Sequence, residues 1–136
     1  MKRLIPPDDC PEEIARRLDV IQQHRALNAI LGVNPDAMSQ AEQHQQQRRR
    51  GEPIGPLHGV PLIVKDNIAC APMPITLGCR ALASLNATAD ARVVQRLRRA
   101  GAIILARGNM SEFAFDVRSR SSLGGDVANP LCPTLT

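Results

Sequence analysis

Apolar residues recur at helical spacing near the start of the chain and gather into short unbroken runs further on, with the change near residue 50. Ile14, Leu18 and Ile21 stand four and three residues apart, which places them on one helical face. Pro11-Glu12-Glu13 opens that helix, since proline suits the first helical position and acids there complement the dipole. Gly32 is its expected stop. Asn34-Pro35-Asp36 is expected to cap and start a second helix through Ala37, Met38 and Ala41. The far end of that helix, Gln43 to Arg50, is polar all round and is expected to project into water.

From Gly51 to Gly59 three glycines and two prolines make an extended or turned connector. Val60-Pro61-Leu62-Ile63-Val64 then has the length and branching of a buried strand, with Pro61 confined to its first residue or an unpaired side. Residues 70–89 read as an irregular loop. Asp90 is placed to cap a helix with Val93, Val94, Leu97 and Ala100 facing inward, and Gly101 to end it. Ala102-Ile103-Ile104-Leu105-Ala106 is a second buried strand, so strand, helix and strand predict a right-handed crossover and a parallel pair. A short helix follows Ser111, and the tail from Ser119 is loop. The pattern therefore predicts a helical segment over residues 1–50 and part of an α/β domain over residues 51–136. Two short strands alone would leave sheet edges unpaired.

Composition narrows the function classes. A chain of 136 residues fits one domain, and with Phe113 and Phe115 as its only aromatic residues its core is aliphatic. The net charge of +4 comes largely from Arg48-Arg49-Arg50 and from Arg96, Arg98 and Arg99. Nucleic acid is not the expected partner, because sequence-tolerant single-strand binders add stacking platforms that this chain lacks. Cys10, Cys70, Cys79 and Cys132 form no close pair, which favours reduced thiols over a zinc site built from Cys70, Cys79, Cys132 and His58; neither metal nor cofactor is expected. Met1-Lys2-Arg3-Leu4-Ile5 imitates a signal peptide, but Pro6-Pro7-Asp8-Asp9 interrupts it, and no run of membrane length follows. A cytoplasmic protein without membrane contact is the expectation.

The candidate for chemistry is Lys65. Fifteen arginines supply most of the positive charge, and the only other lysine is Lys2. A desolvated lysine can lose its proton and serve as a general base, whereas an arginine effectively cannot. The competing readings are a side chain that snorkels out of the strand end, or one paired with Asp66.

The surroundings of Lys65 favour the catalytic reading. The segment Gly55-Pro56-Leu57-His58-Gly59-Val60-Pro61-Leu62-Ile63-Val64-Lys65-Asp66-Asn67-Ile68 resembles the one that carries the catalytic lysine in the amidase-signature family. Thr76-Leu77-Gly78-Cys79 is similar to that family's Thr-x-Gly-Ser. The stretch from Ala100 through Gly108-Asn109-Met110-Ser111-Glu112-Phe113 resembles its next block, and Asn129-Pro130 the Asn-Pro ahead of its serine-rich loop. The four matches come in the family's order and cover about residues 26–136.

The resemblance implies an α/β fold with a mixed sheet and the hydrolysis of a small-molecule amide by a Ser–cis-Ser–Lys triad, without cofactor. Only the lysine transfers, onto Lys65. The Gly-Ser-Ser-Gly-Gly loop is expected just beyond Asn129-Pro130, where the chain reaches Thr136 without it. The expectation is thus an N-terminal, truncated part of such an enzyme, inactive alone, or else a non-catalytic module that pairs with a complementary fragment. Ser121-Ser122-Leu123-Gly124-Gly125 imitates the missing loop, but it precedes Asn129-Pro130, so plain loop residues are expected there. Cys79 for serine, Arg107 for lysine and Leu131 for an aromatic depart from the family pattern.

Overall fold

The structure, a computed structural model, describes residues 8–132. The signal-like start through Pro7 lies outside the described residues. In chain order the elements are α1 (Cys10–Gln23), β1 (Ile30–Val33), α2 (Ala37–Arg49), β2 (Pro61–Lys65), α3 (Arg92–Arg99) and β3 (Ile103–Gly108). Short 3-10 turns occupy Arg25–Leu27, Arg80–Leu82 and Glu112–Ala114.

Helix α1 begins as its sequence requires: the Asp9 carboxylate accepts the Glu12 N–H at 2.9 Å, and Pro11 sits in the first turn. Ile14 is fully buried, with Leu18 and Ile21 packed beside it. The helix ends at Gln23, however, and not at Gly32. Asn28 turns the chain with φ 53°, a left-handed conformation that asparagine tolerates. Its carbonyl accepts from Asn109 Nδ2 at 2.8 Å, and the Ala29 carbonyl accepts the Asn109 N–H at 2.8 Å. These long-range bonds lead into β1, an edge strand that the helical pattern had hidden. Tertiary pairing overrode local propensity.

Asn34 starts the next turn. It is buried, accepts the Asp36 N–H on Oδ1 at 3.0 Å and gives Nδ2 to the Ile104 carbonyl at 2.8 Å. Helix α2 then presents the small residues Ala37 and Ala41 to the core, and most of its length faces water.

The sheet is mixed, in the order β1-β3-β2, with β2 parallel and β1 antiparallel to the central β3. Pro61, without an N–H to donate, takes the first position of β2. Register between β2 and β3 slips once: Leu62 pairs with Ile104, but Ile63 pairs with Ala106. This bulge at Leu105 lets both Leu105 and Ala106 join Ile103 in the core under α1 and α2. It also brings Arg107 opposite Val64. A second core, of Val64, Cys70, Met73, Val94 and Ile104, holds the stretch after β2 and helix α3 against the sheet.

Helix α3 starts at Arg92 behind Ala91, and no side chain caps it. Asp90 serves elsewhere: Oδ1 accepts the Ala71 N–H at 2.9 Å and Oδ2 pairs with Arg98 Nε at 3.0 Å. Val94 is fully buried, but Val93 is 50% exposed, because neighbours about 100° apart on a short helix cannot both face one sheet. Gly101 ends the helix at φ +91°, and a Cβ there would stand 2.8 Å from His58 Cα. That close approach seats the connector before β2 on the α3–β3 corner, where Leu57 N–H donates to the Ala100 carbonyl at 2.8 Å.

Candidate active site

Lys65 is the last residue of β2 and lies beside Gly108 in register. Its carbonyl accepts the Ile68 N–H at 2.9 Å, and the next amide, Asp66 N–H, reaches the Gly108 carbonyl at 3.1 Å. The peptide joining Lys65 to Asp66 is thereby held at both its carbonyl and its N–H. Its side chain is exposed. Residues 8–132 therefore do not provide the burial that a lysine at the end of an apolar strand suggested. Nor does Lys65 pair with Asp66.

Asp66 is 1% exposed and its carboxylate is claimed by other groups. Oδ2 accepts the N–H of Thr76 at 3.2 Å, the N–H of Gly78 at 2.9 Å and the Thr76 hydroxyl. Oδ1 accepts from Nη1 of Arg107, itself 7% exposed. Burying this carboxylate is tolerable because both oxygens are matched by donors and a cation. The residues drawn to it form a tight turn in which Leu77 (φ 54°) and Gly78 (φ 69°) are both left-handed. The Leu77 carbonyl then accepts the Phe113 N–H at 2.9 Å.

Three of the four segments singled out in the sequence thus meet around the end of β2: the lysine strand, the Thr76–Cys79 turn and the end of β3 through Phe113. The fourth, Asn129-Pro130, is exposed and closes a small turn with Cys132. It follows Ala128, whose N–H donates to the Leu27 carbonyl at 3.0 Å.

The hydroxyls of the loop that imitates a nucleophile loop bond neighbouring backbone. Ser121 is buried, donates its hydroxyl to the Gly78 carbonyl at 2.8 Å and accepts the Gly124 N–H at 2.8 Å. Ser122 Oγ accepts the Arg80 N–H at 3.0 Å. The Glu112 carboxylate beside it accepts the Ser122 N–H at 3.2 Å, and its pKa is held below the usual range by the side chains of Ser122 and Cys79. Ser121 staples residues 119–125 to the Thr76–Cys79 turn, and Ser122 to Arg80 just after it. A Ser three residues before a Gly was the available signal, since a serine hydroxyl readily takes up nearby backbone N–H groups.

The zinc alternative does not assemble. Among the described residues no three His, Cys, Asp or Glu side chains come close enough to hold a metal ion. His58 instead stacks on His44, with ring centroids 4.5 Å apart, and gives Nε2–H to the His44 carbonyl at 2.9 Å. The Arg clusters are partly spent on structure too: Arg98 pairs with Asp90, and Arg48 bonds the Asp8 carbonyl at 3.1 Å. No helix among the described residues is long and apolar enough to cross a membrane.

Comparison with known proteins agrees with this arrangement. The Amidase family model matches residues 12–136. The chain belongs to the amidase-signature family. It is 41% identical over 106 residues to a glutamyl-tRNA(Gln) amidotransferase subunit of Deinococcus radiodurans, covering 78% of this chain and 22% of that protein. With the corresponding subunit of Archaeoglobus fulgidus it shares 35% identity over 130 residues, 95% of this chain and 27% of the other. Among solved structures it is similar to the peptide amidase of Stenotrophomonas maltophilia, with TM-score 0.80, 35% identity and coverage of 92% of this chain and 27% of that one. An amidase family protein from Bacillus anthracis superposes with TM-score 0.85 at 34% identity, again over 92% and 27% of the two chains. This amidase-family chain spans about a quarter of the length of these relatives.

Proposed function

We propose that this chain is the lysine-bearing part of an amidase-signature hydrolase, with Lys65 as the proton acceptor in the cleavage of a C–N bond of a small-molecule amide. The observation that carries the reading is the position of Lys65: a primary amine on a strand end whose backbone is held, where three of the family-like segments meet. In the mechanism that the family resemblance implies, the uncharged lysine takes a proton through a bridging serine while a second serine attacks the carbonyl. Backbone N–H groups of the serine-rich loop then stabilise the oxyanion. Both serines would come from beyond Asn129-Pro130, and residues 130–136 contain none. Ser121 and Ser122 do not replace them, because their hydroxyls bind the neighbouring backbone.

On this reading the 136-residue chain alone hydrolyses no amide, and its exposed Lys65 needs further protein to cover it before it can work uncharged. No cofactor, nucleic acid or membrane takes part, and the setting is cytoplasmic. The test is a joint one: purified chain supplied with the serine-bearing remainder of an amidase domain gains amide hydrolysis, and the Lys65→Ala chain does not. Equal turnover with Lys65→Ala sinks the reading.

A specific observation favours a second reading, in which the chain is a non-catalytic module that pairs with a complementary fragment. An apolar groove of about 440 Å³ lies between the end of α1, β1 and β2, lined by Val20, Ile21, Leu27, Ile30, Val33 and Ile63. Val20, Val33 and Ile63 are 41, 41 and 52% exposed there. Burying them would be favourable at about 25 cal/mol per Å². This reading predicts a stable complex with the remainder, without turnover.

A further inference from the structure

The geometry points to Asp66 as the positioning residue for Lys65: its buried carboxylate sets the frame from which the lysine leaves β2. The inference rests on the reading of Lys65 as the proton acceptor, but it concerns a different residue and a different property. Lys65 is exposed, so surrounding side chains do not bury it in place. What fixes it is the peptide that joins it to Asp66, bonded to Ile68 and Gly108, and the turn built on Asp66.

Four donors converge on the one carboxylate from two stretches of chain. Thr76 contributes its N–H and hydroxyl, Gly78 its N–H, and Arg107 a guanidinium nitrogen from the end of β3. A carboxylate has about four lone-pair sites, and Asp66 receives four donors, three on Oδ2 and one on Oδ1. The Asp66 backbone is engaged as well, its N–H with the Gly108 carbonyl at 3.1 Å and its carbonyl with the Leu77 N–H at 3.4 Å. Asp66 can move only if the turn and the end of β3 move with it, and Lys65 is covalently next to it.

The hub is not a generic way to hold a fold together. A buried ion pair is often no more stabilising than apolar residues of the same volume, because both charges lose their hydration. Its distinctive property is direction: each hydrogen bond fixes a distance and an angle, which apolar packing does not. The turn accepts a left-handed, non-glycine Leu77 to satisfy the carboxylate. Arg107 is aimed at it only because the bulge at Leu105 resets the alternation of β3. Gly32 leaves room for it, since a Cβ there would stand 3.1 Å from Arg107 Nη2.

The experiment is NMR on the full chain, with amide exchange read at Asp66, Ile68, Thr76 and Gly78, and the Lys65 carbonyl shift read by lysine-selective ¹³C labelling. Only Lys2 and Lys65 would contribute lysine signals. Asp66→Asn removes the charge and is expected to raise exchange at these four amides about tenfold or more, the scale of losing a charged hydrogen bond. It should also shift the Lys65 carbonyl, while the amides of α1 and α2 keep their protection. Arg107→Lys keeps a point charge and is expected to hold all of these near their wild-type values. Unchanged amides around Lys65 in a folded Asp66→Asn chain would overturn the inference, and so would a loss shared equally with α1 and α2. Should Asp66→Asn fail to fold, Thr76→Val removes a single hydroxyl donor and must give a smaller change at the same sites; no change there overturns it too. None of these signals depends on hydrolysis, so an inactive Lys65 would sink the catalytic reading and leave this result standing by itself.

Discussion

Lys65 and Asp66 are adjacent in the chain and opposite in environment, the lysine exposed and the aspartate 1% exposed among four donors. Alternation of side chains along a strand produces this, since consecutive residues leave opposite faces of a sheet. The first consequence is chemical access. An amine-reactive acylating reagent should modify Lys65 in the native chain about as fast as in an unfolded peptide of the same sequence, within roughly threefold, since exposed groups are little protected. Mass spectrometry of the 65-containing peptide reads the outcome, and strong protection of Lys65 would contradict the exposed site.

Thiol chemistry gives an independent check on the core. Cys10, Cys70 and Cys79 are buried, and Cys132 is half-buried. Burial is the main cause that pushes the Cys10 thiol pKa up, against the pull of Arg48; at Cys70 burial again leads, against a hydrogen bond from Arg98. A protonated, covered thiol is a poor nucleophile. In native buffer a disulfide reagent should therefore react quickly with Cys132 and slowly with the other three, all four becoming equal in denaturant. Fast reaction of Cys10 or Cys70 would mean that the α1–α2 layer or the layer under α3 is not packed as described.

Two glycines of the connector make a matched pair. A Cβ on Gly55 would stand 2.3 Å from the Ala100 carbonyl oxygen, whereas Gly51, at φ +67°, has open space around it. Gly51→Ala should cost about 1 kcal/mol, the strain of a left-handed alanine. Gly55→Ala must push backbone from backbone at the corner that seats β2, and about 2 kcal/mol or more is expected. Urea midpoints compare them, and equal losses would count against the packed corner.

The stacked histidines predict a pH dependence. Desolvation, and then the charge of His58, lower the pKa of His44 from its ordinary 6.5. A folded-state value below the unfolded one means that the unfolded chain binds the extra proton, so stability rises with pH in that range. The contribution is fully present above pH 6.5 and is lost as pH falls from there through the lowered folded-state value. The wild-type melting temperature should drop over that window, and His44→Gln should flatten the drop. An unchanged slope in His44→Gln would place the acid sensitivity elsewhere.

What the residues disclosed beforehand follows the physics of each element. The strands Pro61–Lys65 and Ile103–Gly108 and the parallel pairing between them were legible, because a short branched run bounded by glycine or polar residues has few alternatives. So was the start of α1, where Pro11, Glu12 and Glu13 agree. β1 was not legible: Ile30 and Leu31 fit a helical period as well as a strand, and the deciding bonds come from Asn109, 81 residues from its partner Asn28. The cap of α3 failed for a related reason, since Asp90 met Ala71 and Arg98 instead of its own helix. At the site, Lys65 stood out because lysine is rare in this chain, but the hub at Asp66 did not. A lone aspartate beside a lysine reads as its partner until the fold brings Thr76, Gly78 and Arg107 to it.

The most direct measurement is amide hydrolysis by the purified 136-residue chain beside its Lys65→Ala, Ser121→Ala and Ser122→Ala variants. On the proposed reading no turnover above buffer is expected in any of the four, because residues 130–136 hold no serine for Lys65 to serve. Turnover in the wild type that disappears with Lys65→Ala and with either serine variant would contradict it, and would place the nucleophile in the 121–125 loop.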